Sequence, residues 1–314
     1  MAIKQIKKIL INTWEDFTSD KEQRDIAFIV RDAIIAALKD TNFKVLRDYI
    51  DYKDETYHGI MINLDMLLGY LEMFSIYEKY RNILNELSVG IYLDSPYRDK
   101  NTRTRGAYRY KYIPNDPAFD DHTIVLFSEY GERDKYLDVV GNKFVINPEG
   151  VAEARKLFAD ELSSTSGHMS QTFTHELIHF LDNMRYKKRG ATLKTNLKIH
   201  NTKDPDRYKK YLSATHEVNA EYQAGISTFE KDLNWRRNVR SDFQEMTDGT
   251  QFLHYLDNEG YFKEGMLDAL DPKQSKRLYR RVTEVFYWLK KELLDKETKT
   301  IQILKSLKEL PSGL

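Results

Sequence analysis

The sequence predicts an α+β protein, predominantly helical, with a small mixed or antiparallel sheet ahead of the helix that carries its chemistry. Three observations predict it. Apolar residues recur at helical spacing through most of the first 88 positions and again after Asn147-Pro148. Between Ser88 and Pro148 they gather instead into short β-branched and aromatic runs separated by turn residues. Finally, His175-Glu176-Leu177-Ile178-His179 falls inside one of the helical stretches that follow the sheet.

Taken in order, Asp20 is suited to cap a helix whose apolar side carries Ile26, Ile29, Val30, Ala33, Ile34, Ala37 and Leu38. A second helical pattern runs through Met66, Leu67, Tyr70, Leu71, Phe74, Tyr77 and Ile83. Strands are expected at Val89–Leu93, Ala107–Ile113, Thr123–Ser128, Tyr136–Val140 and Lys143–Asn147. Pro114, Pro117 and Gly131 punctuate them, and Gly141-Asn142 is a two-residue hairpin signal. Asp271-Pro272 opens a long helix bearing Leu278, Val282, Val285, Phe286, Leu289 and Leu293. The expected organisation is a helical subdomain over 1–88, a core over 89–235 with the sheet and the metal helices, and a helical subdomain over 236–314.

Composition narrows the chemistry. At 314 residues the chain can bury a substantial core, and 49 basic residues balance 49 acidic ones, so no global field draws it to nucleic acid or anionic membrane. With no cysteine, thiolate ligands, disulfides and a cysteine nucleophile are excluded, and any metal must be held by His and carboxylates. The N-terminus shows no signal-peptide pattern and no stretch nears the ~20 apolar residues of a membrane span. A cytoplasmic or particle-associated location is expected.

Residues from about Ser170 to Lys188 form an amphipathic helix with Phe173, Leu177, Leu181 and Met184 on its core face. His175, His179 and Asp182 share a different face. Lys187, Lys188 and Arg189 complement the C-terminal dipole, and Gly190 can end the helix. Two imidazoles four residues apart suit one catalytic Zn2+, and Glu176 beside them suits a base for its bound water.

A catalytic zinc takes three protein ligands. The metzincin spacing fails, because Asp182 and Arg185 stand where a glycine and a histidine would be needed. A later segment, Ser213 to Ala224, places Glu217, Ala220, Glu221 and Ala224 on one helical face, with alanines that permit close approach to the histidine helix. Glu217 and Glu221 are both candidate ligands, and His216 is a third.

These residues resemble the gluzincins, zinc peptidases in which HExxH is followed on a later helix by a ligand glutamate, some with the pattern ExxAD. Glu217-Val218-Asn219-Ala220-Glu221 reads ExxAE, and the resemblance spans roughly Thr123 to Phe229. It implies a zincin-like fold and a zinc metalloendopeptidase. His175, His179 and Glu217 would be ligands, Glu176 the general base, and Glu221 a carboxylate holding a ligand histidine. Asp182 could orient an imidazole or pair with a cation at the helix end. Tyr208, Tyr211, His216 and Tyr222 are candidate donors to the oxyanion. The substrate would be a protein or peptide laid against a sheet edge, with Thr123–Ser128 or Lys143–Asn147 as that edge.

Two other readings compete. Arg103, Arg105, Tyr108, Arg109, Tyr110, Lys111 and Tyr112 interleave charge with aromatic rings, as single-stranded nucleic acid requires, but Asp116, Asp120 and Asp121 follow at once and nucleic acid is not the expected partner. The other is a structural or interaction protein, a phage-particle or toxin-like component, that keeps a zincin-like domain and docks an assembly partner through its helical flanks. An intact Glu176 favours the enzyme, because a silent site has no chemical need for it.

Overall fold

The structure, a computed structural model, describes residues 2–43, 47–52, 55–92, 106–110, 122–128, 137–140, 143–146, 148–164, 168–188 and 206–308. It is mostly helical with a mixed sheet, as expected of α+β. Two compact units make it up: residues 1–203 with 214–228, and residues 204–213 with 229–314.

Helix α1 (Ala2–Lys39) contains neither glycine nor proline. It runs straight through Asp20, which therefore does not cap it. From Asp20 onward it buries Ile26, Ala27, Val30, Ala33, Ile34, Ala37 and Leu38. The Arg155 guanidinium closes its C-terminal end, donating to the carbonyls of Ala37, Leu38, Asp40 and Phe43 and so satisfying groups that the last helical turn leaves open.

The chain then forms β1 (Arg47–Tyr52) and β2 (Glu55–Asn63), an antiparallel pair where the sequence pattern predicts only helix. A 3-10 turn (Leu64–Leu67), α2 (Leu68–Leu71) and α3 (Ser75–Leu84) replace the single long helix expected there. Next come β3 (Leu87–Tyr92), β4 (Gly106–Tyr110) and β5 (His122–Phe127), each within a few residues of its expected place. The five strands are ordered β1-β2-β3-β5-β4, with β3 and β5 parallel and the other neighbours antiparallel. Strands β6 (Leu137–Val140) and β7 (Lys143–Ile146) pair separately, Val140 facing Lys143 across the predicted turn.

Ile60, Ile62, Leu87, Val89, Ile91, Ile124 and Leu126 line one face of the sheet and share a single core with α1, α4 (Pro148–Ser163) and α5 (His168–Lys188). Each Leu, Ile or Phe buried there contributes about 1.5–3 kcal/mol. Met61, Val125 and Phe127, on the opposite face, are buried as well, which explains the unbroken apolar run of β5. The expected boundary at residue 88 is thus not a boundary between units: α1 and the first strands are built into the core that carries the histidine helix.

The remaining elements are α6 (Arg207–Leu212), α7 (Thr215–Trp235), α8 (Arg237–Glu245), α9 (Gly249–Asn258), α10 (Met266–Ala269) and α11 (Pro272–Lys308). Residues of α7 through Thr228 belong to the first unit and those from Phe229 to the second. The second unit centres on the rings of Phe229, Phe243, Phe252 and Phe286, with centroids 4.8–5.8 Å apart. Asp271 accepts from the Gln274 backbone N–H at 2.8 Å while the Gln274 side chain accepts from the Asp271 backbone N–H at 3.1 Å, a capping box that starts α11 where expected. Among the described residues no helix is long and apolar enough to cross a membrane. Gly190, the Gly141-Asn142 turn, the C-terminal tail from 309 and most of the Arg98–Tyr112 segment lie outside the described residues.

Candidate metal centre

Helix α5 is buried on nearly every side. Phe173, Leu177, Leu181 and Met184 face the core as expected, and Thr174, Ile178 and Phe180 are covered too. From Gln171 to Met184 its partly exposed positions are 171, 172, 175, 179 and 183. Spacings of three and four put 172, 175, 179 and 183 on one narrow stripe. The two histidines therefore lie in a partly exposed lane of this stretch of the helix.

His175 Nε2 and His179 Nε2 lie 3.0 Å apart. From α7, Glu217 brings Oε2 to 3.4 Å from His175 Nε2 and Oε1 to 3.5 Å from His179 Nε2. Ligand atoms about 2.0–2.1 Å from a tetrahedral zinc stand roughly 3.3 Å from each other, so the three side chains are spaced as a His2Glu set around one ion. They form a group able to hold a metal, with candidate ligand atoms within 4.8 Å of one another. Ala220 is fully buried one turn along α7 and belongs to the shared core.

Glu221 approaches the other nitrogen of the same ring, its Oε2 3.3 Å from His175 Nδ1. The two glutamates thus divide the imidazole between them, Glu217 at Nε2 and Glu221 at Nδ1. A carboxylate at the far nitrogen fixes the ring's orientation and makes it a stronger donor to metal. His216 Nε2 sits 3.4 Å from Glu217 Oε1, which keeps it beside the group.

The electrostatics follow from this crowding of carboxylates. Burial works against a charged His175, but hydrogen bonds from its ring to Glu217 and Glu221 outweigh it and push the imidazole up to about 10. Burial likewise raises Glu217, yet His175, His179 and His216 together hold its carboxyl well below the usual carboxylate range. A metal bound here would have to displace the proton that these carboxylates favour on His175, and would take over its charge among them.

Asp182 accepts from Gln23 Nε2 at 3.3 Å and from Asn219 Nδ2 at 2.6 Å, so its carboxylate ties α5 to α1 and to α7. Arg24 reinforces the same junction by donating to Gln223 Oε1 at 2.9 Å. Glu176 is buried, with Oε2 taking the backbone N–H of Tyr108 on β4 at 2.6 Å.

Two expectations about the surroundings change. Strand β5, which contains most of Thr123–Ser128, is paired on both sides by β3 and β4 and has no open edge, while β7 belongs to the separate ribbon. The strand that meets α5 and, among the described residues, pairs on one side only is β4. His168 is the exposed first residue of α5, about two turns before His175. Of the oxyanion candidates, Tyr222 is fully buried, His216 is beside the group, and Tyr208 and Tyr211 belong to the second unit, under the Lys263 ammonium. Sequence reasoning named Tyr108 only within the basic and aromatic run, not beside Glu176, and it missed Gln23 and Asn219, which nothing local marks. Comparison of the chain with protein-family models, curated proteins and solved structures returns no match.

Proposed function

We propose that this chain is a zinc metalloendopeptidase of gluzincin type, hydrolysing peptide bonds in a protein or peptide substrate. One observation carries the reading: His175, His179 and Glu217 converge at tetrahedral-ligand spacing beside the buried carboxylate of Glu176. In this reading the three hold a single Zn2+, and Glu221 orients His175 from behind. Bound zinc supplies Lewis acidity, lowering the pKa of a coordinated water to about 7 and polarising the scissile carbonyl. Glu176 would act as the general base and then as the proton donor to the departing amine. The Tyr108 N–H on the part-paired edge of β4 is already taken by Glu176, so an extended substrate laid along that edge would bond to its other outward main-chain groups.

The test combines metal content with cleavage of a peptide library. Wild type purified without chelator is expected to carry about one zinc per chain, to lose cleavage on chelation and to regain it with added zinc. Glu176→Gln should keep the metal and lose cleavage. Glu217→Ala should lose the metal, and Glu221→Gln should weaken it roughly 10- to 100-fold. Zinc-free wild type would sink the site. Zinc held by a protein that cleaves nothing would leave the interaction role, with the helical flanks as docking surfaces.

A further inference from the structure

Strand β4 runs along α5 in an unusually close register. At Gly106 an added Cβ would stand 2.5 Å from Thr172 Cγ2 and 2.9 Å from the Val125 carbonyl oxygen, so only glycine lets the strand reach the helix. Two residues on, the Tyr108 N–H meets Glu176 Oε2 at 2.6 Å. The Tyr108 ring packs edge-on against Phe180, and its hydroxyl takes the Asn183 amide at 2.8 Å and lies 2.6 Å from His122 Nδ1. Thr172, Glu176, Phe180 and Asn183 follow one another along the helix, and Gly106 and Tyr108 follow them along the strand. The match is set at several independent points.

An antiparallel strand turns alternate N–H groups toward and away from its neighbour. Tyr108 stands opposite Ile124 of β5, yet its N–H is directed to the helix side and is spent on Glu176. A carboxylate has two oxygens and a flexible stem, and a base works only when one oxygen is held toward the proton it removes. We infer that β4 is a positioning strand for Glu176: the Tyr108 amide holds Oε2, so that Oε1 alone is presented as the base, and Gly106 is what permits the approach. The anchored phenol keeps the amide in place. Its catalytic consequence rests on the peptidase reading above; the hydrogen bond stands apart from it.

Two measurements test this. The first is amide exchange at Tyr108 in wild type and Glu176→Ala. An edge amide without its acceptor exchanges freely, so exchange should be at least about 10-fold faster in the variant; equal rates would overturn the proposal. The second replaces Tyr108 by its α-hydroxy acid, which exchanges the N–H for an ester oxygen and leaves the ring intact. Zinc content and KM should hold while kcat falls roughly 10- to 100-fold, the scale on which a misplaced catalytic group acts. An unchanged kcat would refute it. If the ester chain does not fold, Gly106→Ala reports the same displacement, and adding Thr172→Ser, which removes the clashing methyl, should recover part of kcat; no loss in Gly106→Ala would count against the inference. Wild type with neither zinc nor cleavage would defeat the peptidase reading, while the exchange comparison would still decide the Tyr108–Glu176 bond.

Discussion

Replacing Asp182 with asparagine exchanges one oxygen for an NH2 at a position where both oxygens are in use. The remaining oxygen can serve Asn219, whose contact is the shorter at 2.6 Å, but the new NH2 then faces the Gln23 amide that donated to Asp182 at 3.3 Å, which must either oppose it donor to donor or turn its unpartnered Oε1 toward it and leave its own NH2 unpaired. One charge-assisted bond is lost and a buried donor is left unsatisfied, which together cost about 2–3 kcal/mol. The complementary Asn219→Asp brings two carboxylates into contact. At an effective dielectric of ~20, like charges ~3 Å apart repel by roughly 5 kcal/mol, a ceiling that rotation and proton uptake reduce to about 3. Combined, the two substitutions restore the pattern with its polarity reversed: the new amide at position 182 donates, the new carboxylate at position 219 accepts, and the amide oxygen at 182 again faces Gln23. The double variant is expected within about 1 kcal/mol of wild type, far from the roughly 5 kcal/mol of independent losses. Native-state exchange of the α5 amides, followed as urea is raised in the presence of chelator, reads the stability of this unit without a metal contribution. A double variant as unstable as the two single losses together would refute the bridge.

In the second unit, Gly249 opens α9 against Thr283 of α11, where an added Cβ would stand 2.8 Å from both Cα and Cβ of Thr283. Gly249→Ala should therefore destabilise that unit by about 1–3 kcal/mol, seen as a lower urea midpoint at unchanged slope. Tyr261 donates to Asp232 at 2.8 Å, and burial together with that bond raises its hydroxyl above the ordinary tyrosine value. The folded state keeps this proton after the unfolded chain has lost it, so the contribution is whole below pH ~10 and fades as pH climbs beyond it. Tyr261→Phe should cost about 1.5–3 kcal/mol at neutral pH, as the loss of a hydrogen bond to a charged group does. It should also flatten the alkaline fall of a denaturation series; a variant as alkali-sensitive as wild type would contradict the assignment.

What is legible in the sequence is local. The spacing of His175 and His179, the apolar face of α5 and the start of α11 at Asp271-Pro272 all lie within a few turns of one helix, where a 3.6-residue period suffices. Strands β3 to β7 are legible because β-branched residues cluster between turn formers. The pair β1 and β2 is not: Arg47, Asp48 and Asp51 break the alternation of β1, which lies at the edge of the sheet, as polar edge strands commonly do. The start of α1 escapes a reading by pattern because Asp20 can cap a helix or sit within one, and only a breaker upstream would decide. Glu217 is reachable through the spacing of its own helix, but the division of labour between it and Glu221 depends on how α7 lies against α5. Tyr108 meets Glu176 from 68 residues away and Gln23 meets Asp182 from 159, distances at which no periodicity carries information.

The partly exposed lane of α5 also has a length. From Thr172 to Asn183 the helix rises about 16 Å. A fully extended chain covers that distance in about five residues, and β4 alongside it is five residues long. Lane and strand are therefore coextensive: β4 meets the lane near both of its ends, Gly106 against Thr172 and the Tyr108 hydroxyl on Asn183, and His175 and His179 are the partly exposed stretch between them.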